Sequence, residues 1–189
     1  MNFAPSFPTG QQKIFFMQIE WYLPKPQDYP EYYGRYIQRI GEGDLLEKLM
    51  IQKDNTVQLF RSMPAEKLQF QYAPGKWTPL QILQHVIDAE RIFAFRALCF
   101  SRNEQAAIPG FDENTYAEEA LMDGRTLDSL LDDFVAVRTA TITMIRGFRN
   151  EWLNRSGIAS EKRISVRSIL YVIAGHEFHH YHIIKERYL

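Results

Sequence analysis

Four long stretches of the sequence repeat apolar residues at intervals of three and four positions, the spacing of an amphipathic α-helix. The second stretch has the strongest start signal. Thr78 is placed to cap the helix, Pro79 takes the first helical position and Gln81 completes a capping box. This pattern predicts a helix to Arg102, with a buried stripe of Ile82, Val86, Ala89, Phe93, Ala97 and Phe100.

The other three stretches also begin at residues suited to an N-cap. Asp44 opens the first, Thr126 the third and Ser165 the fourth, which is predicted to extend almost to Leu189. A shorter helix is predicted over residues 113–120, between the second and third stretches. No stretch combines two-residue alternation with β-branched residues, so no sheet is expected. The predicted fold is all-α, a four-helix bundle with one short extra helix.

The N-terminal part of the sequence has a different character. Residues 1–30 contain five of the nine prolines and little periodicity, which predicts an extended lead-in that lies over the bundle or stays mobile. A short helical piece follows from Glu31 towards Ile40 and is broken by glycines at 41 and 43. We therefore expect residues 31–189 to form a single bundle domain.

Composition and charge narrow the possible partners. Lysine and arginine total 22 and aspartate and glutamate 23, giving a formal net charge of −1. That balance favours neither nucleic acid nor an anionic membrane surface as a partner. The single cysteine, Cys99, excludes an internal disulfide, and no secretory signal or membrane span is recognisable. A cytoplasmic protein acting on a small molecule is expected.

The candidate chemistry lies in the histidines. His176 and His180 are one helical turn apart, about 40° round the fourth helix, and fall on its predicted buried stripe. His85 falls on the buried stripe of the second helix. One inward histidine is usually a hydrogen-bonded core residue, but three unpaired imidazoles on facing seams would be costly to bury. A divalent metal ion would satisfy all three nitrogens, and neutral imidazole is its common ligand.

A competing motif overlaps this site. Residues 176–180 match H-E-x-x-H, the helix motif of zinc proteases, in which Glu177 would be the general base. Those enzymes take a third ligand from further along the chain, but only nine residues follow His180. Glu177 is also predicted at the flank of the seam. The protease interpretation is therefore not favoured.

For other polar residues near the predicted seams, the sequence gives less specific evidence of a functional role. Asp88 and His179 each lie about 60° from a predicted ligand and are the candidate catalytic residues. Arg138 could pair with an anionic substrate, although an arginine with a buried stem at the core edge is the favoured interpretation. Cys99 is about 21 Å from His85 along the helix, too far to share an ion.

Four segments together resemble the DinB-like (YfiT-like) superfamily. They are Tyr72-Ala-Pro-Gly-Lys-Trp-Thr-Pro79, His85-Val-Ile-Asp-Ala-Glu-Arg91, Pro109-Gly-Phe-Asp112 and Ala174-Gly-His-Glu-Phe-His-His180. The resemblance spans residue 30 to the end. It implies a four-helix bundle with metal-binding histidines at the positions of His85, His176 and His180, and a frequent homodimer. It further implies an enzyme, either a metal-dependent hydrolase or a transferase that uses a low-molecular-weight thiol.

Three protein ligands would leave a coordination position open, as in catalytic metal sites. The sequence thus predicts an enzyme that activates water for hydrolysis or binds a thiol cosubstrate, with zinc or nickel as the expected metal. A non-catalytic module, in which the ion only ties two helices together, is the alternative.

Overall fold

The computed structural model describes residues 19–120 and 124–189 and confirms the all-α four-helix bundle. Its four long helices are α2 (Leu45–Ser62), α3 (Pro79–Ser101), α5 (Leu127–Arg146) and α6 (Val166–Arg187). Two shorter helices, α1 (Gly34–Ile37) and α4 (Glu113–Glu119), lie beside them, and single 3-10 turns cover Pro26–Asp28, Glu31–Tyr33, Ala65–Lys67 and Asn150–Asn154. In the described part of the chain, no helix is both long enough and apolar enough to cross a membrane.

The helix starts follow from local hydrogen bonding, as predicted. The Thr78 hydroxyl accepts from the Gln81 N–H, and the Gln81 side chain accepts from the Thr78 N–H. Asp44, Thr126 and Ser165 each accept a backbone N–H from the first turn of their helices. These side chains satisfy amide donors that have no partner within the helix.

Helix α6 lies at the centre of the fold, since every residue from Val166 to Glu177 is buried. It packs against α3 on one side and against α1 and α2 on others, while α5 packs on α3 and α2. Gly175 permits the close approach of α1, because a Cβ at this position would overlap the Tyr36 backbone. The crossing brings Tyr36 next to His176.

The expectation of no sheet is wrong. Strands β1 (Ser156–Ala159) and β2 (Lys162–Ser165) form an antiparallel hairpin directly before α6. Ser160 and Glu161 form its two-residue turn with φ values of 51° and 63°, the left-handed pairing typical of a type I′ turn. Neither residue is a glycine or an asparagine, so the usual sequence signal of this turn is missing.

The described part of the N-terminal lead-in contacts the bundle. The Trp21 ring packs edge-on against Tyr171 at 6.4 Å, and the Arg167 guanidinium donates to the Glu20 carbonyl at 2.7 Å. Residues 1–18 lie outside the described residues, so the boundary at residue 30 stays a prediction.

Candidate metal centre

The three predicted histidines meet between α3 and α6. The Nε2 atom of His176 lies 3.0 Å from His85 Nε2 and 3.2 Å from His180 Nε2. The candidate ligand atoms of the three rings all lie within 4.8 Å of one another. Within residues 19–120 and 124–189, no other cluster of histidine, cysteine or carboxylate side chains has this arrangement. The helix period brings His176 and His180 to the same face, and the packing of α3 on α6 adds His85.

Burial keeps these imidazoles neutral. It lowers the pKa of His85 to about 4. It also holds the pKa values of His176 and His180 well below the usual histidine range, and the neighbouring imidazoles add to this effect. A neutral ring carries a lone pair on one nitrogen, which is the form that binds a metal.

The geometry fits a metal ion better than it fits a hydrogen-bond chain. One Nε2 atom carries either a single proton or a single lone pair, so His176 cannot bond well to both neighbours. Tetrahedral ligands about 2.0–2.1 Å from a zinc ion would be roughly 3.3 Å apart, close to the two shortest separations. These residues would therefore hold a divalent ion through their Nε2 atoms.

Aromatic side chains surround the histidines. Trp77, just before the N-cap of α3, packs on the His85 ring with centroids 4.8 Å apart. Tyr36 and Phe93 pack edge-on against His176 at 5.5 and 6.1 Å. These contacts limit ring rotation and so hold the three nitrogens in place.

The predicted catalytic residues lie at different distances from this centre. The His179 ring packs against His180 and Tyr36 at 5.1 and 5.5 Å, and burial lowers its pKa. Asp88 accepts from Gln84 at 3.0 Å and from Arg91 at 3.4 Å, and it lines a separate surface groove. The structure therefore places His179, and not Asp88, beside the histidine cluster.

Cys99 is half-buried and is not part of the cluster. Burial, with a smaller contribution from Glu104, raises the pKa of its thiol. A raised pKa reduces the thiolate fraction at neutral pH, so Cys99 has the character of an unreactive thiol.

The predicted positions of Glu177 and Arg138 are wrong. Neither lies at an edge: Arg138 is fully buried and Glu177 is 2% exposed. Arg138 donates to both Glu90 carboxylate oxygens through Nε and to Glu177 at 2.9 Å through Nη1. Thr56 donates to the other Glu177 oxygen at 2.5 Å. Both Glu177 oxygens are thus held by Arg138 and Thr56 in the bundle interior, which argues against its role as a protease-type base.

In the part of the chain that the structure describes, two cavities of more than 100 Å³ border the histidine cluster. One of about 210 Å³ is lined by His180 together with Tyr72, Lys76, Trp77, Asn114 and Tyr188. A second of about 110 Å³ is lined by His85 and His176 together with Tyr33, Tyr36, Phe93 and Arg96. Local spacing in the sequence does not indicate that Tyr33, Arg96 and Asn114 line these cavities, because long-range packing brings them to the site.

Fold and site together define a helix bundle with a candidate three-histidine metal centre. The sequence profile of the DinB superfamily matches residues 49–184, and the chain belongs to that superfamily. Among solved structures, YfiT from Bacillus subtilis is similar, with a TM-score of 0.65 and 20% identity over 87% of this chain and 90% of YfiT. YfiT is described as "a probable metal-dependent hydrolase with an unusual four-helix bundle topology". No curated protein matches the sequence.

Proposed function

We propose that this protein is a metal-dependent enzyme that acts on a small molecule, with hydrolysis as the leading reaction. The observation that carries the proposal is the convergence of the three Nε2 atoms of His85, His176 and His180 beside two cavities. Three protein ligands leave a coordination position for substrate or water, in contrast to the closed sites of structural zinc. The description of YfiT, a protein of the same fold, supports hydrolysis.

The protein's own residues have three tasks in this reaction. The imidazoles hold the ion, which when bound supplies Lewis acidity and makes water or a thiol nucleophilic near neutral pH. Trp77 and Tyr36 keep the ligand rings in position and restrict the access of bulk water to the histidine cluster. His179, whose ring lies next to that of His180, is the candidate for proton exchange with a substrate, since its lowered pKa leaves the ring neutral and able to accept one.

Thiol-dependent transfer is the second candidate. The two cavities border different histidines of the cluster, so a cosubstrate and an electrophile could each approach the same centre. Cys99 is not part of the cluster. The sulfur would therefore come from a low-molecular-weight thiol.

Replacement of one ligand tests the function. The His180→Ala protein should retain its helical content but lose bound zinc or nickel and all turnover, because one of three ligands is gone. His182→Ala, two residues further along α6, is the matched control and should keep both the metal and the activity.

The substrate screen should test two sets of compounds. Esters and amides are tested in the absence of thiol, and electrophiles are tested in the presence of several different thiols. Turnover of esters or amides supports hydrolysis, and thiol-dependent loss of the electrophile supports transfer. If the metal-loaded protein turns over nothing while metal removal lowers its melting temperature sharply, the non-catalytic module replaces the proposal.

Superfamily membership also supports a homodimer. Sedimentation equilibrium of the purified protein tests this assembly, with a mass of 44 kDa, twice that of the 22.2 kDa chain, as the expected result.

A further inference from the structure

Arg96 is a buried cation on the helix that carries His85. The two residues are eleven positions apart, about three helical turns, and so lie on nearly the same face of α3. Arg96 is only 2% exposed. Within residues 19–120 and 124–189, no carboxylate lies within 4.0 Å of its guanidinium. This contrasts with Arg138, a fully buried arginine of the bundle, which is paired with two glutamates.

The protein uses only part of the hydrogen-bonding capacity of Arg96. Its Nη2 atom donates to the Pro109 carbonyl at 3.0 Å and to Ser160 Oγ at 3.1 Å. The Nε atom is buried and has no partner among the described residues. The contacts that hold the loop at Pro109 and the hairpin turn at Ser160 therefore leave the Nε donor unused. A buried donor without a partner loses its hydration and gains nothing in return.

The cavity next to Arg96 leads to the metal ligands. Arg96, His85 and His176 line the same space of about 110 Å³, together with Tyr33, Tyr36 and Phe93. This volume accommodates several water molecules or a short carboxylic acid. Arg96 lines one part of this cavity and the two histidines line another, so the cavity joins a cationic end to a candidate metal-binding end.

The electrostatics around Arg96 favour an anion. Burial lowers the pKa of Arg96, and the influence that opposes this effect comes from the neighbouring Tyr33 and not from a carboxylate. Burial raises the pKa of Tyr33, while the nearby Arg96 charge opposes this rise. The acidic side chain that borders the cavity is Glu113, which is exposed and forms no ion pair with Arg96. A carboxylate in the cavity would therefore supply the missing counter-charge.

We propose that Arg96 binds the carboxylate of a small anionic substrate in the cavity that it shares with His85 and His176. This inference deepens the proposed function, on which it rests, by naming the substrate class of the metal site. The carboxylate occupies the Arg96 end of the cavity and the reacting group faces the histidines. A guanidinium can donate several charge-assisted hydrogen bonds to a carboxylate, whereas a neutral amide of the same shape accepts fewer and weaker ones.

Calorimetric titration of the zinc-loaded protein with propanoate, and with propanamide as its neutral isostere, tests the assignment. We expect propanoate to bind and propanamide to bind at least about tenfold more weakly. Arg96→Gln should weaken propanoate binding at least about tenfold and leave propanamide unchanged. The matched control, Arg102→Gln, removes an exposed arginine from the end of the same helix and should not change either affinity. Equal propanoate affinity in Arg96→Gln and the unaltered protein would overturn the proposal.

Two further variants separate the possible failures. His180→Ala removes a metal ligand that does not line this cavity, so it should lose zinc but keep Arg96-dependent propanoate binding. If the unaltered protein binds zinc and turns over substrate, but propanoate binds equally well without Arg96, this inference fails and the proposed function stands. If the unaltered protein binds no zinc but still binds propanoate through Arg96, the proposed function fails and this inference stands.

If Arg96→Gln does not fold, Glu113→Gln decides the question. It neutralises an exposed carboxylate at the cavity and should tighten propanoate binding about twofold to fivefold. An unchanged propanoate affinity in this variant would count against an anion site.

Discussion

Replacement of Arg138 by methionine should destabilise the protein strongly, because it leaves two buried carboxylates without their counter-ion. The guanidinium is fully buried and donates to Glu90 at 2.8–3.1 Å and to Glu177 at 2.9 Å. It also donates to the Leu49 carbonyl at 3.1 Å. Methionine fills much of the same volume but supplies no donor and no charge.

Removal of one partner from a buried ion pair costs about 3–5 kcal/mol. For a protein of this size, that loss corresponds to a fall of about 6–20 °C in melting temperature. Glu177→Gln provides the contrast. Arg138 then keeps Glu90, and the amide can still accept from Arg138 and donate to Thr56, so we expect a loss below about 1.5 kcal/mol.

Urea unfolding at pH 7 and pH 5, followed by circular dichroism, measures both variants. In Arg138→Met the pKa values of the uncompensated carboxyls should rise, so the folded state binds protons more readily than the unfolded state as the pH falls. The free energy of unfolding that this variant loses relative to the unaltered protein should therefore be smaller at pH 5 than at pH 7. A loss below about 1 kcal/mol at pH 7, or an equal loss at both values, would refute the charge argument.

Three other changes test separate parts of the account. Thr78→Ala should cost about 1 kcal/mol in urea unfolding, because it removes the cap that pairs with Gln81; no loss would mean that the cap is dispensable. Gly175→Ala should cost about 1–3 kcal/mol, since the added methyl overlaps the Tyr36 backbone and displaces α1; wild-type stability would show that the close approach is not needed. In metal-free protein the His85 pKa of about 4 lies below its unfolded value of 6.5, so stability should fall as the pH drops from 6.5 towards 4, by up to about 3 kcal/mol from this residue; a flat pH profile over that range would contradict the burial of a neutral ring.

Local signals made much of the fold predictable. The N-caps at Asp44, Thr78, Thr126 and Ser165 depend on a side chain and amides two or three residues away, so the sequence contains both partners. The close arrangement of His176 and His180 follows from the helix period alone. The approach of His85 required only that two buried stripes face each other.

Features built from distant residues were harder to predict. Arg138 pairs with glutamates on two other helices, and a polar residue at the margin of an apolar stripe gives no sign of such partners. The hairpin has four-residue strands and a turn of Ser160 and Glu161, so neither alternation nor turn composition indicated it. The local sequence does not distinguish Arg96 from an ordinary helix residue, because only the fold brings its partners Pro109 and Ser160 close to it.

Anomalous diffraction from crystals of the zinc-loaded protein tests the central claim most directly. We expect one strong zinc peak per chain, about 2.0–2.1 Å from the Nε2 atoms of His85, His176 and His180, with a position left open to the cavities. A zinc peak elsewhere, or one without a bond to His85, would contradict it.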